Sequence, residues 1–412
     1  MADKKRCIIM GDEIAWVLRN LLGFNRTELQ LNLVLTEGTD SSEIDKFHEV
    51  SRDWIKNTIA DIEAYTDKLI ADASVKIIFF AVTVPNDVTS KIRQKRKDIF
   101  LVGFNTTYGF SETEQYFAGL DLVKRASCNL VFAEDLKTGL KMIVAPEEAA
   151  YSVTKGGVSA LNDLVDMTLK RSHLTFTRST VVAGESVAWR SELVPSSLRY
   201  VVDHCIQSNA YKPFGGVTAG HFAVKLNDTT FLTSKRKTNF NDLDRVGLVK
   251  VTTDGPDSVI AYGAKPSVGG QSQRIVFSDH KDYDCIVHFH CPKKPDSVVP
   301  VVSQKEFECG SHECGKNTSA GLQGFVYDVA ENTYKVAGPG VKPDFSAVFL
   351  KNHGPNIVFH SSVNPAIITG FIDANFNLGQ KTGGYNITGD PMFMNSTQRI
   401  SIREEGGVGG YE

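Results

Sequence analysis

The chain has 412 residues, of which 42% are hydrophobic and 23% charged, and a net charge of −3. This is the make-up of a globular chain with more than one core, so two domains are expected. The charge balance gives no polybasic face for nucleic acid, no stretch reaches the roughly 18 apolar residues of a membrane span, and the first residues lack the apolar run and cleavage site of a signal peptide. Seven cysteines, at 7, 128, 205, 285, 291, 309 and 314, are odd in number and scattered. They do not make a disulfide framework, and a reducing cytoplasm is the expected location.

The first half alternates two patterns. CIIMG (7–11), LNLVLTEG (31–38), VKIIFFAVT (75–83), IFLVGFNTT (99–107), CNLVFAED (128–135) and LKMIVAP (140–146) read as buried strands ending in loop residues. A helical pattern follows the first strand as far as Leu22, and further helix-period segments are TIADIEAYTDKLIADA, SETEQYFAGLDLVKRAS and KGGVSALNDLVDMTLK. Strands alternating with helices predict a mostly parallel sheet covered on both faces, of the kind that takes ligands at the carboxyl ends of its strands. The basic run KIRQKRK (91–97) is expected to be a solvated turn or helix end.

Residues 173–187, polar and β-branched without a helix period, are expected to link a first domain (1–172) to a second (188–412). In the second, a helix at SSLRYVVDHCIQSNA precedes the Gly-rich, alternating FGGVTAGHFAVKLNDTTFLTS, which reads as a hairpin. Meandering strands with flanking helices predict an α+β arrangement there. No internal repeat is found, and only the tail EEGGVGGYE is of low complexity.

DYDCIVHFHCPKK (282–294) places His288 and His290 on one face of a strand, because side chains at i and i+2 point the same way. Such a pair alone is compatible with ordinary hydrogen-bonded histidines. FLKNHGPNIVFH adds His353 at the mouth of another strand, before Gly354 and Pro355. Three imidazoles with an open coordination position suit a catalytic zinc or similar divalent ion, which polarises a carbonyl and stabilises an enediolate.

GGVTAGHFAVKLNDTTFLTS, FNDLDRVGLVKVTTDG, AKPSVGGQSQRIVFSDHKDYDCIVHFH and FLKNHGPNIVF, in this order from about Ser186 to Lys381, resemble the class II aldolase/adducin family. The resemblance implies an α/β/α-layered domain and a homo-oligomer, commonly a tetramer. It implies a divalent ion, zinc first, on His288, His290 and His353, and a small phosphorylated sugar or carbonyl substrate that is cleaved, epimerised or dehydrated through an enediolate. Its anion contacts map to Gly220 and Ser267, with Lys235 and Arg236 able to hold a phosphate or carboxylate by charge; a solvated hairpin loop is the alternative for SKRK. Two departures stand out: His221 and the Lys235–Arg236 pair replace the family's Asn and Thr-Gly, and Gly269 stands where the aldolases carry their acid/base Glu.

QKEFECGSHECGKNTSAG (304–321) offers a substitute. Its resemblance to methylthioribulose-phosphate dehydratases puts the proton-transfer carboxylate near Glu313, with His312 and Glu308 as second choices; a thiolate metal site or a simple tight turn are the alternatives. The expected function is thus a metal-dependent lyase, and the competing reading, favoured by Gly269, is a non-catalytic assembly module of the adducin kind.

IIFFAVTVPNDVTSKI, FLVGFNTTYGFSETEQYFAGLDLVKRASCNLVFAEDL and PEEAAYSVTKGGVSALNDLVDMTL resemble the phosphopantothenoylcysteine synthetase half of the bacterial coenzyme A flavoprotein. That implies a Rossmann-like domain binding CTP or ATP, with Lys91, Gly103 and Lys155 as contacts. CIIMGDEIAWVLRN lacks the family's Gly-Gly-Thr loop and Asn, so a nucleotide-dependent ligase is the remotest reading. The fold class expected for the whole is α/β, a Rossmann-like parallel sheet domain followed by a class II aldolase-like α/β/α domain.

Overall fold

The computed structural model describes residues 5–11, 29–38, 51–82, 86–267 and 273–381. The helix expected after Gly11, position Gly269 and the Gly-rich tail lie outside them. The chain divides into two compact units; among the described residues, one holds 5–146 and 150–173, the other 147–149 and 174–381.

The first unit is built on eight strands: β1 (Lys5–Met10), β2 (Leu29–Thr36), β3 (Ser51–Ile55), β4 (Val75–Phe80), β5 (Phe100–Thr107), β6 (Leu130–Asp135), β7 (Leu140–Ala145) and β8 (Ala149–Lys155). Their order is β3-β2-β1-β4-β5-β6-β7-β8. The first six pair parallel, and β7 turns back antiparallel on β6. The continuous apolar runs explain this, since Ile8, Ile9, Ile78, Phe79, Leu101, Val102, Val131 and Phe132 are all buried and a parallel sheet is covered on both faces. The helix Glu112–Ala126 opens on a capping box in which the Ser111 hydroxyl accepts the Glu114 N–H and the Glu114 carboxylate accepts the Ser111 N–H. Strands β3 and β8 are additions to the elements read from sequence; SRDWI is half-exposed and polar, and AAYSVTK lacks a sustained apolar run. The basic run 91–97 closes the helix Asn86–Lys95, as expected.

The second unit contains β9 (Arg178–Val182), β10 (Pro213–Phe214), β11 (Val217–Thr218), β12 (His221–Lys225), β13 (Thr230–Thr233), β14 (Val249–Thr253), β15 (Ser258–Tyr262), β16 (Cys285–His288), β17 (Val301–Val302), β18 (Gln323–Asp328), β19 (Thr333–Val336), β20 (Phe345–Leu350) and β21 (Gly354–Phe359). Its large sheet runs β19-β18-β20-β21-β16-β12-β13-β14-β15-β9, mostly antiparallel. The segment expected as a linker, 173–187, holds β9, which pairs parallel with β15; its β-branched Thr180, Val181 and Val182 suit a strand at a sheet edge. The hairpin expected from the Gly-rich stretch is β12–β13, registered Ala223 to Thr233 and Lys225 to Phe231.

Alternation along the strands divides the core between two faces. Phe222, Val224, Val287 and Phe289 join a cluster with the helices Ser196–Gln207 and Pro365–Asn375, while Ala223, Ile286 and Val358 pack with Val276 and Phe277 of the helix Gln273–Asp279. This gives helix, sheet and helix layers. Strand β16, between β12 and β21, is central and fully buried, and this anchors the residues just beyond its carboxyl end.

Candidate metal centre

Three turns meet at the end of β16. His288 closes the strand and His290 lies two residues on, while Phe289 between them points to the other face and packs against Tyr211 and Phe376. Burying that one ring contributes roughly 1.5–3 kcal/mol and locks the His-Phe-His alternation. His353 sits in the β20–β21 turn, whose Asn352 has φ 61° and whose His353 N–H donates to Leu350 O at 2.9 Å. A Cβ on Gly354 would stand 2.0 Å from Phe289 O, so only glycine lets this turn close on the His-Phe-His segment. Gly220 does the same just before β12, where a Cβ would lie 2.5 Å from His288 O at φ +101°.

The imidazoles of His288, His290 and His353 are buried, and their ligand atoms all lie within 4.8 Å of one another. His288 Nε2 is 3.1 Å from Nε2 of both His290 and His353. The protons are assigned by what the other nitrogens meet. His288 Nδ1 donates to Pro355 O at 2.7 Å, and His290 Nδ1 to the Glu148 carboxylate at 3.2 Å; both acceptors lack a proton to give. In the neutral rings, the Nε2 atoms of His288 and His290 therefore aim lone pairs at each other across 3.1 Å. A shared divalent cation would remove that repulsion, and three imidazoles are a suitable donor set for one. The residues present thus fit a divalent ion.

Burial holds His288 well below the ordinary histidine range, reinforced by His353, His221 and His290, against a smaller opposing effect of Pro355 O. His221 directly faces His288 across β12 and β16, ring centroids 4.7 Å apart. Burial pushes its pKa down to about 3, with His290 adding to the shift. Its Nδ1 is hydrogen-bonded to the Gln273 amide, which in turn meets the Thr233 hydroxyl.

This burial sets a pH dependence. An unfolded histidine titrates near 6.5, so between about 6.5 and 3 the unfolded chain binds a proton that folded His221 does not, and stability falls with falling pH through that window. Denaturant midpoints of the metal-free chain are expected to decline as pH drops from about 6.5 toward 3. His221→Asn should reduce the slope by up to about 1.4 kcal/mol per pH unit; an unchanged slope would assign the acid sensitivity elsewhere.

The structure also places the other residues singled out from sequence. Ser267 N–H donates to Ser234 O at 3.0 Å, and their hydroxyls are 3.5 Å apart. The Lys235 ammonium turns to the Ser186 hydroxyl and Val246 O, and burial lowers its pKa. Arg236 N–H donates to Lys265 O. Glu313 lies in the first turn of the helix His312–Gly321 and accepts the Thr175 N–H at 3.0 Å. His312 contacts Thr177, Arg274 and Asp257, and Glu308 is buried, its backbone carbonyl accepting Ser311 N–H. The hydrogen bonds found for Glu313 and His312 do not reach the three imidazoles. In the first unit, Lys91 pairs with Asp67 at 2.6 Å, Gly103 is packed inside β5 with Cys128 Sγ 3.0 Å from its would-be Cβ, and Lys155 ends β8; none of the contacts found among the described residues joins the three. Sequence reasoning missed Gln273, Glu148 and Lys381 as neighbours of the site, and noted His221 only as a departure from a pattern.

Residues 205–368 match the Class II Aldolase and Adducin N-terminal domain. His288, His290 and His353 all lie inside the matched segment. Among solved structures, the DNA/pantothenate metabolism flavoprotein of Streptococcus pneumoniae is similar at 11% identity and TM-score 0.33, over 40% of this chain and 96% of that one. YgbL of Escherichia coli, described as a putative aldolase/epimerase/decarboxylase, is similar at 18% identity and TM-score 0.29, over 43% and 82%. L-fuculose 1-phosphate aldolase is similar at 16% identity and TM-score 0.31, over 45% and 85%. No curated protein matches the sequence. No helix among the described residues is long and apolar enough to cross a membrane.

Proposed function

We propose that this chain is a metal-dependent lyase in which His288, His290 and His353 hold a divalent ion, zinc first, against a small phosphorylated sugar or carbonyl substrate. The observation that carries the reading is the meeting of Nε2 atoms at 3.1 Å with the His288 and His290 protons drawn away to Pro355 O and Glu148. A divalent ion there supplies Lewis acidity toward a carbonyl oxygen and so stabilises the charge of an enediolate.

The chain's own residues have separate tasks. Pro355 O holds the His288 ring, and Gly220 and Gly354 let two further turns close on it. Ser267, Gly220, Lys235 and Arg236 are the proposed anion contacts, and Lys235 must exchange its bonds to Ser186 and Val246 O for the substrate. Proton transfer by Glu313, with His312 and Glu308 behind it, rests on the dehydratase resemblance. The homotetramer likewise rests on family resemblance, as does a nucleotide bound by Lys91, Gly103 and Lys155.

The test is metal analysis of the purified chain, followed by turnover of phosphorylated sugars before and after chelation. Activity that is lost on chelation and restored by zinc, manganese or cobalt supports the reading; a chain that takes up no metal leaves the assembly module as the better account. Glu313→Gln is expected to keep its metal and lose turnover by at least about 100-fold. Unchanged turnover in that variant removes Glu313 from the reaction.

A further inference from the structure

His290 is tied on its far side to a buried ion pair. One oxygen of Glu148 accepts both His290 Nδ1–H at 3.2 Å and the Lys381 ammonium at 2.6 Å. All three side chains are 4% exposed or less. Glu148 lies just before β8 in sequence but belongs with the second unit.

We propose that Glu148, its charge balanced by Lys381, is a positioning residue of the metal centre: it keeps the His290 proton on Nδ1 and so keeps the Nε2 lone pair available to the ion. This rests on the metal reading above. A carboxylate without a proton only accepts hydrogen bonds, so it fixes one tautomer of its imidazole partner. Without it, His290 is free to carry its proton on Nε2, where it blocks coordination.

Two costs argue against a purely structural pair. Burying a carboxylate and an ammonium together costs several kcal/mol per ion before their attraction offsets it, and an apolar pair of similar volume is often as stable. Glu148 also has φ 58°, in the left-handed region that a non-glycine residue occupies only at a cost. Backbone strain and charge burial meet at Glu148, and its carboxylate is the group that touches a candidate ligand. Such concentration is typical of functional sites rather than of packing.

The experiment strips the full-length chain of metal and titrates it with Co2+ and Zn2+ against a chromophoric chelator, for the native chain, Glu148→Gln and Lys381→Met. Glu148→Gln keeps the side-chain shape but leaves the buried Lys381 ammonium without its partner carboxylate, which destabilises the fold; thermal unfolding of the metal-free forms therefore checks that each variant is folded. Both variants are expected to bind metal about 10–100-fold more weakly, with the Co2+ visible absorption bands of Glu148→Gln displaced from native. Native affinity and an unchanged Co2+ spectrum in Glu148→Gln would overturn the proposal, whether or not its melting temperature falls. If the native chain itself binds neither ion, the metal reading is refuted and this inference with it, an outcome distinct from a native chain that binds and a variant that binds equally well.

Discussion

The double variant His288→Ala/His290→Ala is expected to purify with no bound metal, against about one ion per chain in the native protein, and to show no turnover. Of the three converging imidazoles, these two have protons drawn away from the centre, by Pro355 O and Glu148. Removing them leaves His353, and one neutral imidazole does not hold a divalent ion where three or four ligands are usual. His360→Ala is the control, because that histidine is exposed and hydrogen-bonds Ser362; it should keep the metal. Mass spectrometry of the two variants beside the native chain reads the result, and a double variant that still holds a full equivalent would place the ion elsewhere.

Gly354→Ala is expected to cost more than about 4 kcal/mol of stability, beyond the usual range for a point change, and to abolish metal uptake in whatever folds. Its Cβ would meet the Phe289 carbonyl oxygen at 2.0 Å and its carbon at 3.1 Å, both backbone atoms that cannot rotate away, at φ +151°. Either the β20–β21 turn or the His-Phe-His segment must move, and they carry His353 and His290. Gly340→Ala separates backbone strain from collision: φ there is +76°, but a Cβ meets nothing within 4 Å, so about 1–2 kcal/mol is expected. Comparable denaturation midpoints for the two variants would refute the close-approach account.

Much of the architecture was legible because apolar runs are local. CIIM, VKIIFF, FLV and LVF are buried on both faces and became strands of one sheet, and the 3.6-residue pattern of 111–127 became the helix Glu112–Ala126. Where the local signal was weak, the reading fell short. β3 carries few apolar residues and β8 no sustained apolar run, and β9 lies in a polar, β-branched segment that reads as a linker but pairs with β15. The His-Phe-His motif was readable for the same reason as the strands, since a period of two fixes which side chains share a face.

What the sequence offered by itself was therefore the three histidines as candidates and a Gly-Pro turn after His353; that the turn requires glycine follows from its approach to Phe289 O. Strand periodicity and a glycine before a proline are properties of a few adjacent residues. Only the tertiary structure decided which atoms of those histidines face one another, that His221 and Gln273 stand behind them, and that Glu148 and Lys381, 233 positions apart, share one buried oxygen at 2.6 Å beside His290. It also led the hydrogen bonds of Glu313 to Thr175. Proton positions on imidazoles and the pairing of buried charges depend on groups distant in sequence, and no periodicity encodes them.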